Sequence, residues 1–187
     1  MSSCHLNFFR YYLEMKKILI LTLGLLSSCA NTPKVPVKTV DQVDIQKFMG
    51  KWYVIANIPT FIEKGAHNAV ETYTWNQKED RIDVKFAFRK DSFDGDKKTY
   101  YQKAFIHNKD SKAEWRIQMI WPIKFPYLIM DLAPDYSYTV IGVPNRSYIW
   151  IMAKTPTLPE ATYQEILKRI EAQKFDLSLI QKVPQKW

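Results

Sequence analysis

Short runs of alternating hydrophobic and polar residues recur along most of the chain, beginning near Trp52. Such alternation is typical of β-strands that present one face to a core. Polar or proline-containing segments separate the runs at intervals of roughly 10–15 residues, and each is short enough to form a hairpin. The predicted strands are 52–58, 69–75, 82–88, 99–106, 115–121, 127–133, 136–143 and 148–154.

One helical pattern follows the last of these strands. It opens at Pro159 and Glu160, because proline is favoured in the first turn of a helix, and it ends near Phe175. No connection between strands is long enough for a crossover helix, so the chain is predicted to be all-β, with eight antiparallel strands and then one α-helix. Such strands form either a sandwich with open edges or a closed barrel that can hold one small ligand. The apolar face of the helix is predicted to comprise Ala161, Ile166, Leu167 and Ile170.

Size and composition fit one globular domain with a full core, because 47% of the 187 residues are hydrophobic. Five glycines and ten prolines exclude collagen-like and low-complexity classes, and the 14% aromatic content indicates a core or pocket rich in rings. The formal net charge of +8 is compatible with nucleic-acid binding, with an anionic membrane surface, or with solubility alone.

The N-terminal region has the pattern of a secretory signal. Lys16 and Lys17 precede the apolar run 18–26, which is too short to span a bilayer. Leu26-Ser27-Ser28-Cys29 resembles a bacterial lipobox, in which the cysteine thiol receives a diacylglycerol and becomes the new N-terminus. The alternatives are a buried helix and an ordinary cleaved signal whose cysteine is incidental.

We therefore expect Cys29 to be the lipidation site. Met15 is a better start than Met1, which makes residues 1–14 a candidate misassigned start. Ala30 stands where Asp would signal retention in the inner membrane, so the lipobox resemblance implies a lipid anchor in the outer membrane. The predicted organisation is a signal peptide at 1–28, a Pro- and Lys-rich tether at 29–41 and a folded domain at 42–187.

Catalysis and metal binding have little support in the sequence. With a start at Met15, Cys4 is absent and Cys29 is consumed by lipid, so the domain has no thiol for nucleophilic or zinc chemistry. His67 and His107 lack the neighbours of a catalytic triad or a metal site. We predict no catalytic residue, metal or cofactor, and no nucleic-acid partner because the signal exports the chain.

Three motifs in order resemble those of the lipocalin family. Gly50-Lys51-Trp52-Tyr53 looks like the first motif, Pro134-Asp135-Tyr136 like the second, and the run from Trp150 through Lys154 to Pro156 like the third. Together with the lipobox they resemble bacterial outer-membrane lipocalins over roughly residues 43–184. The resemblance implies an eight-stranded antiparallel up-and-down β-barrel with one C-terminal helix. The residues expected to form its structural motifs are Gly50, Trp52, Asp135, Tyr136 and Lys154.

Two departures from the family pattern bear on stability. Lys154 stands where lipocalins usually carry an arginine, so an ammonium without the planar guanidinium must lie over Trp52. Many lipocalins also tie the C-terminal segment to the barrel by a disulfide. This chain has no cysteine for that bond, so packing must hold the segment.

Strand parity and the lipocalin resemblance together predict which side chains face the lumen. Glu71 is informative, because a buried carboxylate is costly unless it is paired, hydrated or protonated. It is expected to meet a tyrosine hydroxyl, a water or a ligand head group, unless a shift of parity places it in solvent. The parity of strand 127–133 stays open, since Tyr127, Ile129 and Asp131 compete with Leu128, Met130 and Leu132. The predicted ligand-binding residues are Glu71, Tyr73, Phe86, Phe88, Ile117, Met119, Tyr138, Val140, Tyr148 and Trp150.

The function implied by the resemblance is binding, storage or transport of a fatty acid or lysophospholipid at the outer membrane. The ligand would enter the lumen reversibly with its head group near the mouth. An envelope enzyme acting on a lipid or isoprenoid, and an anchored structural protein with a filled lumen, are the alternatives. A homodimer formed through exposed rings such as Trp187 is a further expectation.

Overall fold

Eight long antiparallel strands follow one another in the computed structural model, which describes residues 35–187. A short helix, α1 (Ile45–Phe48), precedes them, and a longer helix, α2 (Glu160–Ala172), follows them. A turn of 3₁₀-helix (Leu177–Leu179) and a two-residue strand, β9 (Gln181–Lys182), end the order. The long strands are β1 (Gly50–Ile58), β2 (Ala66–Asn76), β3 (Arg81–Lys90), β4 (Lys97–Ile106), β5 (Glu114–Gln118), β6 (Phe125–Leu132), β7 (Tyr138–Gly142) and β8 (Ile149–Ala153).

The sheet closes on itself through β1, which pairs with β8 along one edge and with β2 along the other. Gly50 lies opposite Tyr73 in the β1–β2 ladder, and Ile58 lies opposite Ile149 in the β1–β8 ladder. Each remaining strand pairs with the next in sequence. The predicted fold, an eight-stranded antiparallel barrel with one C-terminal α-helix, is therefore confirmed.

The C-terminal segment completes the seam between β1 and β2. These two strands pair only from Gly50 to Tyr53, and β9 pairs with β1 beyond that point, with Asn57 opposite Gln181. On the β2 side, Asn68 donates its side-chain amide to the carbonyl of Lys186 at 2.7 Å and accepts from the backbone N–H of Lys186 at 2.7 Å. Backbone pairing and one asparagine thus hold the segment that a disulfide holds in many lipocalins.

The helix α2 covers one outer face of the barrel. Tyr163, Ile166 and Ile170 are its buried residues, whereas Ala161, which was predicted on the apolar face, is exposed. These helical side chains pack on outward-facing strand residues. The strand residues in this outer cluster are Ala56, Ile58, Leu128, Met130, Val140, Ile149 and Ile151.

The third and first motifs meet at the closed end of the barrel. The ammonium of Lys154 lies 3.9 Å from the centroid of the Trp52 ring and donates to the Met49 carbonyl at 2.8 Å. Trp52 donates its indole N–H to the carbonyl of Phe48 at 2.8 Å. Gly50 has φ of +99°, a left-handed conformation that a side chain strains. Burial lowers the pKa of Lys154 to about 8.

The second motif fixes the turn before β7. The Asp135 carboxylate accepts from the backbone N–H of Ser137 at 3.0 Å. Hydrogen bonding from the side chain and then from the backbone of Ser137 lowers the pKa of Asp135. The Tyr136 hydroxyl accepts from the backbone N–H of Asp44 at 2.8 Å. Asp44 caps α1, so this turn ties the N-terminal helix to the closed end.

The predicted signal peptide and the lipidation site Cys29 lie outside the described residues. The part of the predicted tether that is described already contacts the barrel. Val40 donates its backbone N–H to the carbonyl of Ile129 at 2.9 Å, and Lys38 donates its backbone N–H to the side chain of Gln173 at 2.8 Å. Contacts with the barrel, from Val40, and with the end of α2, from Lys38, therefore begin before the predicted boundary at residue 42.

Candidate ligand-binding site

The barrel encloses a cavity of about 450 Å³ in its open half. The loops 59–65 and 143–148 and the end of β5 surround its opening. Pockets for small molecules commonly measure about 300–1,000 Å³, so the space suits a ligand of that size. Most of the wall is apolar, formed by Ile62, Val84, Phe86, Ile117, Met119, Phe125, Pro126, Val143, Pro144 and Trp150.

Aromatic side chains fill the closed half beneath the cavity. Phe48 lies with its ring centroid 5.0 Å from Trp52, 5.4 Å from Tyr73 and 5.1 Å from Trp115. Trp115 stacks on Tyr127 at 5.4 Å between centroids. Trp52 and Trp115 are fully buried, so this layer forms a solid floor and confines the cavity to the upper half.

A hydrogen-bonded chain of three side chains crosses the floor. Tyr73 donates its hydroxyl hydrogen to Oε2 of Glu71, and the hydroxyl oxygens of Tyr73 and Tyr127 lie 2.6 Å apart. Because a hydroxyl has one proton, Tyr127 donates to Tyr73 when Tyr73 donates to Glu71. Glu71 is 8% exposed and lines the cavity, so the placement of this carboxylate in solvent is excluded.

The floor raises the pKa of all three groups. Burial raises the pKa of Glu71 to about 7, opposed by the hydrogen bond from Tyr73 and supported by the negative charge of Glu63. Burial and the nearby Glu71 carboxylate also raise the pKa of the Tyr73 and Tyr127 hydroxyls well above their usual value. Near neutral pH, Glu71 therefore exists in both protonated and ionised forms while the tyrosines stay neutral.

A second buried carboxylate, Glu63, lies in the loop between β1 and β2. Its Oε1 accepts from the indole N–H of Trp150 at 2.7 Å, and its Oε2 accepts from the backbone N–H of Thr60 at 2.8 Å. Glu63 is absent from the ligand-binding residues predicted from the sequence, because those residues were selected by strand parity and Glu63 lies in a loop. The partner of Glu63 becomes evident only from the structure, in which Trp150 lies on β8 beside β1, the strand that leads into this loop.

Six of the ten predicted ligand-binding residues line the cavity. Two others lie beside it: Tyr73 is part of its floor, and Phe88 is buried in the inner cluster with its ring 6.2 Å from that of Tyr100. The six that line the cavity are Glu71, Phe86, Ile117, Met119, Tyr148 and Trp150.

The inward orientation predicted for Tyr138 and Val140 is wrong. Val140 lies opposite Ile151 in the β7–β8 ladder, and directly opposed residues share a face of the sheet. Ile151 packs under α2, so Val140 does too, and the Tyr138 hydroxyl accepts from Arg169 on that helix at 3.0 Å. Thr139 and Ile141 occupy the opposite parity, and Ile141 packs in the inner cluster.

The strand β6 uses both of the competing parities. Tyr127 and Ile129 face the inner cluster, whereas Leu128 and Met130 face α2. A bulge between Ile129 and Asp131 then shifts the register, so that Leu132 packs on the inner cluster and Asp131 pairs with Arg169 outside. Neither regular alternation therefore describes the whole strand.

Exposed apolar side chains, which we call the rim, stand at the open end. Phe61 is 81% exposed and Trp121 is 82% exposed, although both are large aromatic residues. Contiguous exposed apolar groups of this kind commonly mark interaction surfaces. The rim comprises Phe61, Met119, Ile120, Trp121, Ile123 and Phe125.

Residues 35–187 contain neither a metal-binding cluster nor a membrane-spanning helix. No group of three or more His, Cys, Asp or Glu side chains in this part of the chain is arranged to hold a metal ion. None of its helices combines the length and apolar character needed to cross a membrane.

The closed antiparallel barrel with its lumen is a fold that can hold one small ligand, and comparison with known proteins identifies the family. A family model described as a lipocalin-like domain matches residues 43–185, so the chain belongs to the lipocalins. It is 27% identical to temperature-induced lipocalin-1 of Arabidopsis thaliana and 26% identical to outer membrane lipoprotein Blc of Escherichia coli (strain K12). Each match covers 82% of this chain and 86% of the relative.

A solved structure supports the same fold. Insecticyanin from the tobacco hornworm Manduca sexta superposes with a TM-score of 0.63 at 17% identity, covering 80% of this chain and 84% of that protein. The likeness at this identity concerns the fold alone. Together with the lumen, the family membership supports binding of a small lipophilic ligand.

Proposed function

We propose that this protein binds single-chain lipids, fatty acids or lysophospholipids, reversibly in the barrel cavity and stores or carries them at the outer membrane. The cavity carries this proposal: it is apolar, about 450 Å³ in volume and open beside the exposed apolar rim. A hydrocarbon chain fits such a wall, and the rim offers it contacts during entry.

The energy of transfer is sufficient for useful affinity. Moving about a dozen methylenes from water into an apolar site contributes on the order of 10 kcal/mol before costs. Loss of ligand freedom and ordering of the mouth remove much of this gain, which leaves an affinity of roughly micromolar order. Binding of that strength permits both uptake and release, and the proposed role is carriage without chemical conversion.

The proposed location rests on the lipobox ending at Cys29 and on similarity to proteins named outer membrane lipoprotein Blc. An acylated Cys29 would keep the barrel beside the membrane that supplies its ligand. Homodimer formation through Trp187, which is 66% exposed, is a secondary part of the proposal.

Native mass spectrometry of the delipidated protein with a panel of envelope lipids tests the function. We expect a one-to-one adduct whose lipid is recovered unchanged. Val84→Trp, which fills the cavity wall, should abolish the adduct, whereas Lys85→Trp, on the exposed face of the same strand, should preserve it. Equal adducts in both variants, or conversion of the lipid, would contradict the proposal.

A further inference from the structure

The charge inside the cavity is opposite to that of the whole chain. The formal net charge is +8, yet Glu63 and Glu71 are both cavity-lining residues, 6% and 8% exposed respectively. Of the cavity-lining residues in the described part of the chain, none is Lys, Arg or His. The chain as a whole is therefore basic while the ligand site is acidic, and the charged side chains among the described residues that line the cavity are both carboxylates.

Glu71 has acceptor capacity that its protein neighbours leave unused. Its Oε2 accepts from Tyr73, whereas Oε1 receives no hydrogen bond from any residue between 35 and 187. An ionised carboxylate has about four lone-pair directions. Oε1 is open to the cavity, because no fully buried side-chain oxygen or nitrogen among residues 35–187 lacks a hydrogen-bond partner. A donor on a ligand at the floor of the cavity would satisfy this oxygen.

Polarity also varies along the depth of the cavity. Glu71, with Tyr127 beside it, forms the polar floor, whereas Met119 and Phe125 lie at the open end and belong to the apolar rim. The carboxylate near the mouth, Glu63, already accepts a hydrogen bond on each of its two oxygens. A ligand with one polar end and one hydrocarbon end matches this gradient with its polar end inward. This orientation is the reverse of the one expected from sequence.

We propose that Glu71 binds a hydrogen-bond-donating head group, an ammonium or a hydroxyl, of a single-chain amphiphile whose hydrocarbon chain extends toward the rim. This inference rests on the lipid-binding function proposed above and narrows its ligand class. A carboxylate head at the same place would lie beside the Glu71 carboxylate and feel the negative charge of Glu63 as well, with no cation among the described residues that line the cavity. The site therefore disfavours fatty acid anions.

Glu71 and the titratable groups around it determine how ligand binding changes with pH. Tyr73 on β2 hydrogen-bonds to Glu71, and Tyr127 on β6 hydrogen-bonds to Tyr73. The negative charge of Glu63, in the β1–β2 loop, repels that of Glu71. Tyr100 and Tyr148 also line the cavity. Since the pKa of Glu71 is raised to about 7, its negative charge grows as pH rises through neutrality. Ammonium binding should therefore strengthen over this range, and carboxylate binding should weaken.

The test compares dodecylammonium, dodecan-1-ol and dodecanoate, which share one chain length, by calorimetric titration of the delipidated protein at about pH 6 and about pH 8.5. At the higher pH we expect the ammonium to bind at least about tenfold more tightly than the carboxylate, with the alcohol between them. Glu71→Gln should remove most of this discrimination and its pH dependence. Glu171→Gln, an exposed change on α2, should keep both.

Two results would overturn the inference: dodecanoate binding as tightly as dodecylammonium at the higher pH, or equal discrimination in Glu71→Gln and the original protein. If none of the three ligands binds the original protein, the proposed function itself fails. If Glu71→Gln does not fold, the pKa of Glu71 is measured instead by carboxyl NMR of the original protein, with and without dodecylammonium. Dodecylammonium must then lower the pKa of Glu71, and an unchanged pKa contradicts the proposal.

Discussion

Trp150 donates its indole N–H to the carboxylate of Glu63, with 2.7 Å between Nε1 and Oε1 across 87 positions of sequence. This bond ties the β1–β2 loop to β8 at the mouth of the cavity. The same loop carries Phe61, which belongs to the rim. The shape of the cavity entrance therefore depends on a side-chain contact between two residues that are far apart in the sequence.

Removing this donor should loosen the entrance. Trp150→Phe leaves one oxygen of the buried Glu63 carboxylate without its partner, so we expect the free energy of unfolding to fall by about 1–3 kcal/mol. Lipid affinity should weaken several-fold. Chemical denaturation and ligand titration measure the two effects. Trp187→Phe removes an exposed indole and should change stability by less than about 0.5 kcal/mol; equal effects of both substitutions would refute the assignment.

Stability should decrease with rising pH because of Glu71. Its pKa is about 7 in the folded protein against 4.5 ordinarily, so the folded state binds more protons than the unfolded state between these values. The free energy of unfolding contributed by this group is therefore highest below about pH 4.5 and falls by roughly 3 kcal/mol up to about pH 7. Urea unfolding at several pH values should show this slope, and Glu71→Gln should flatten it. An unchanged slope in the variant would assign the effect to other groups.

Lys154 should matter through its position over Trp52. Lys154→Met keeps an unbranched side chain but removes the ammonium, which leaves the Met49 carbonyl without its donor and deletes the cation–π contact. We expect a loss of about 1–3 kcal/mol of stability. Lys154→Arg retains the charge and donors and should stay within about 1 kcal/mol of the original protein. Denaturation midpoints for the two variants test this difference, and a fully stable Lys154→Met protein would contradict it.

Asn68 should hold the C-terminal segment in the seam. Its φ is +50°, and its side chain makes the two hydrogen bonds to Lys186. Asn68→Gly tolerates the conformation but lacks the side chain, whereas Asn68→Ala also strains the backbone. We therefore expect the order of stability Asn, then Gly, then Ala, with steps of about 1 kcal/mol. Amide hydrogen exchange at Val183, which donates to Ile55, should accelerate in both variants; unchanged exchange would show that Asn68 does not hold this segment.

The fold could be predicted from the sequence. The alternation of hydrophobic and polar residues predicts the strands, and the resemblance of the three motifs to those of lipocalins implies that the sheet closes into a barrel. The lumen-facing set could be predicted only where strands run regularly. A bulge in β6 after Ile129 changes parity within one strand, and the pairing of Val140 with Ile151 depends on a register that the alternation of one strand does not contain. Glu63 lies in a loop and has no periodicity, so the second acid of the site required the structure.

A tyrosine hydroxyl was one of three partners expected for Glu71, beside a water and a ligand head group, because burying a lone carboxylate is costly. Its neighbour Tyr73 follows at the same parity on β2, so their common face was predictable. The contribution of Tyr127 was not, because it comes from the strand whose parity the sequence left open. Contacts between neighbouring residues of one strand could thus be predicted from the sequence, whereas contacts between residues of different strands could not.

Methyl NMR during titration with a single-chain lipid tests most directly whether the lumen is the binding site. The account predicts saturable shifts at the cavity methyls of Val84, Ile117, Met119 and Val143, with little change at Val140 and Ile149 beneath α2 or at Ile166 of α2 itself. Shifts concentrated on the methyls beneath α2, or no shifts at lipid concentrations well above micromolar, would contradict it.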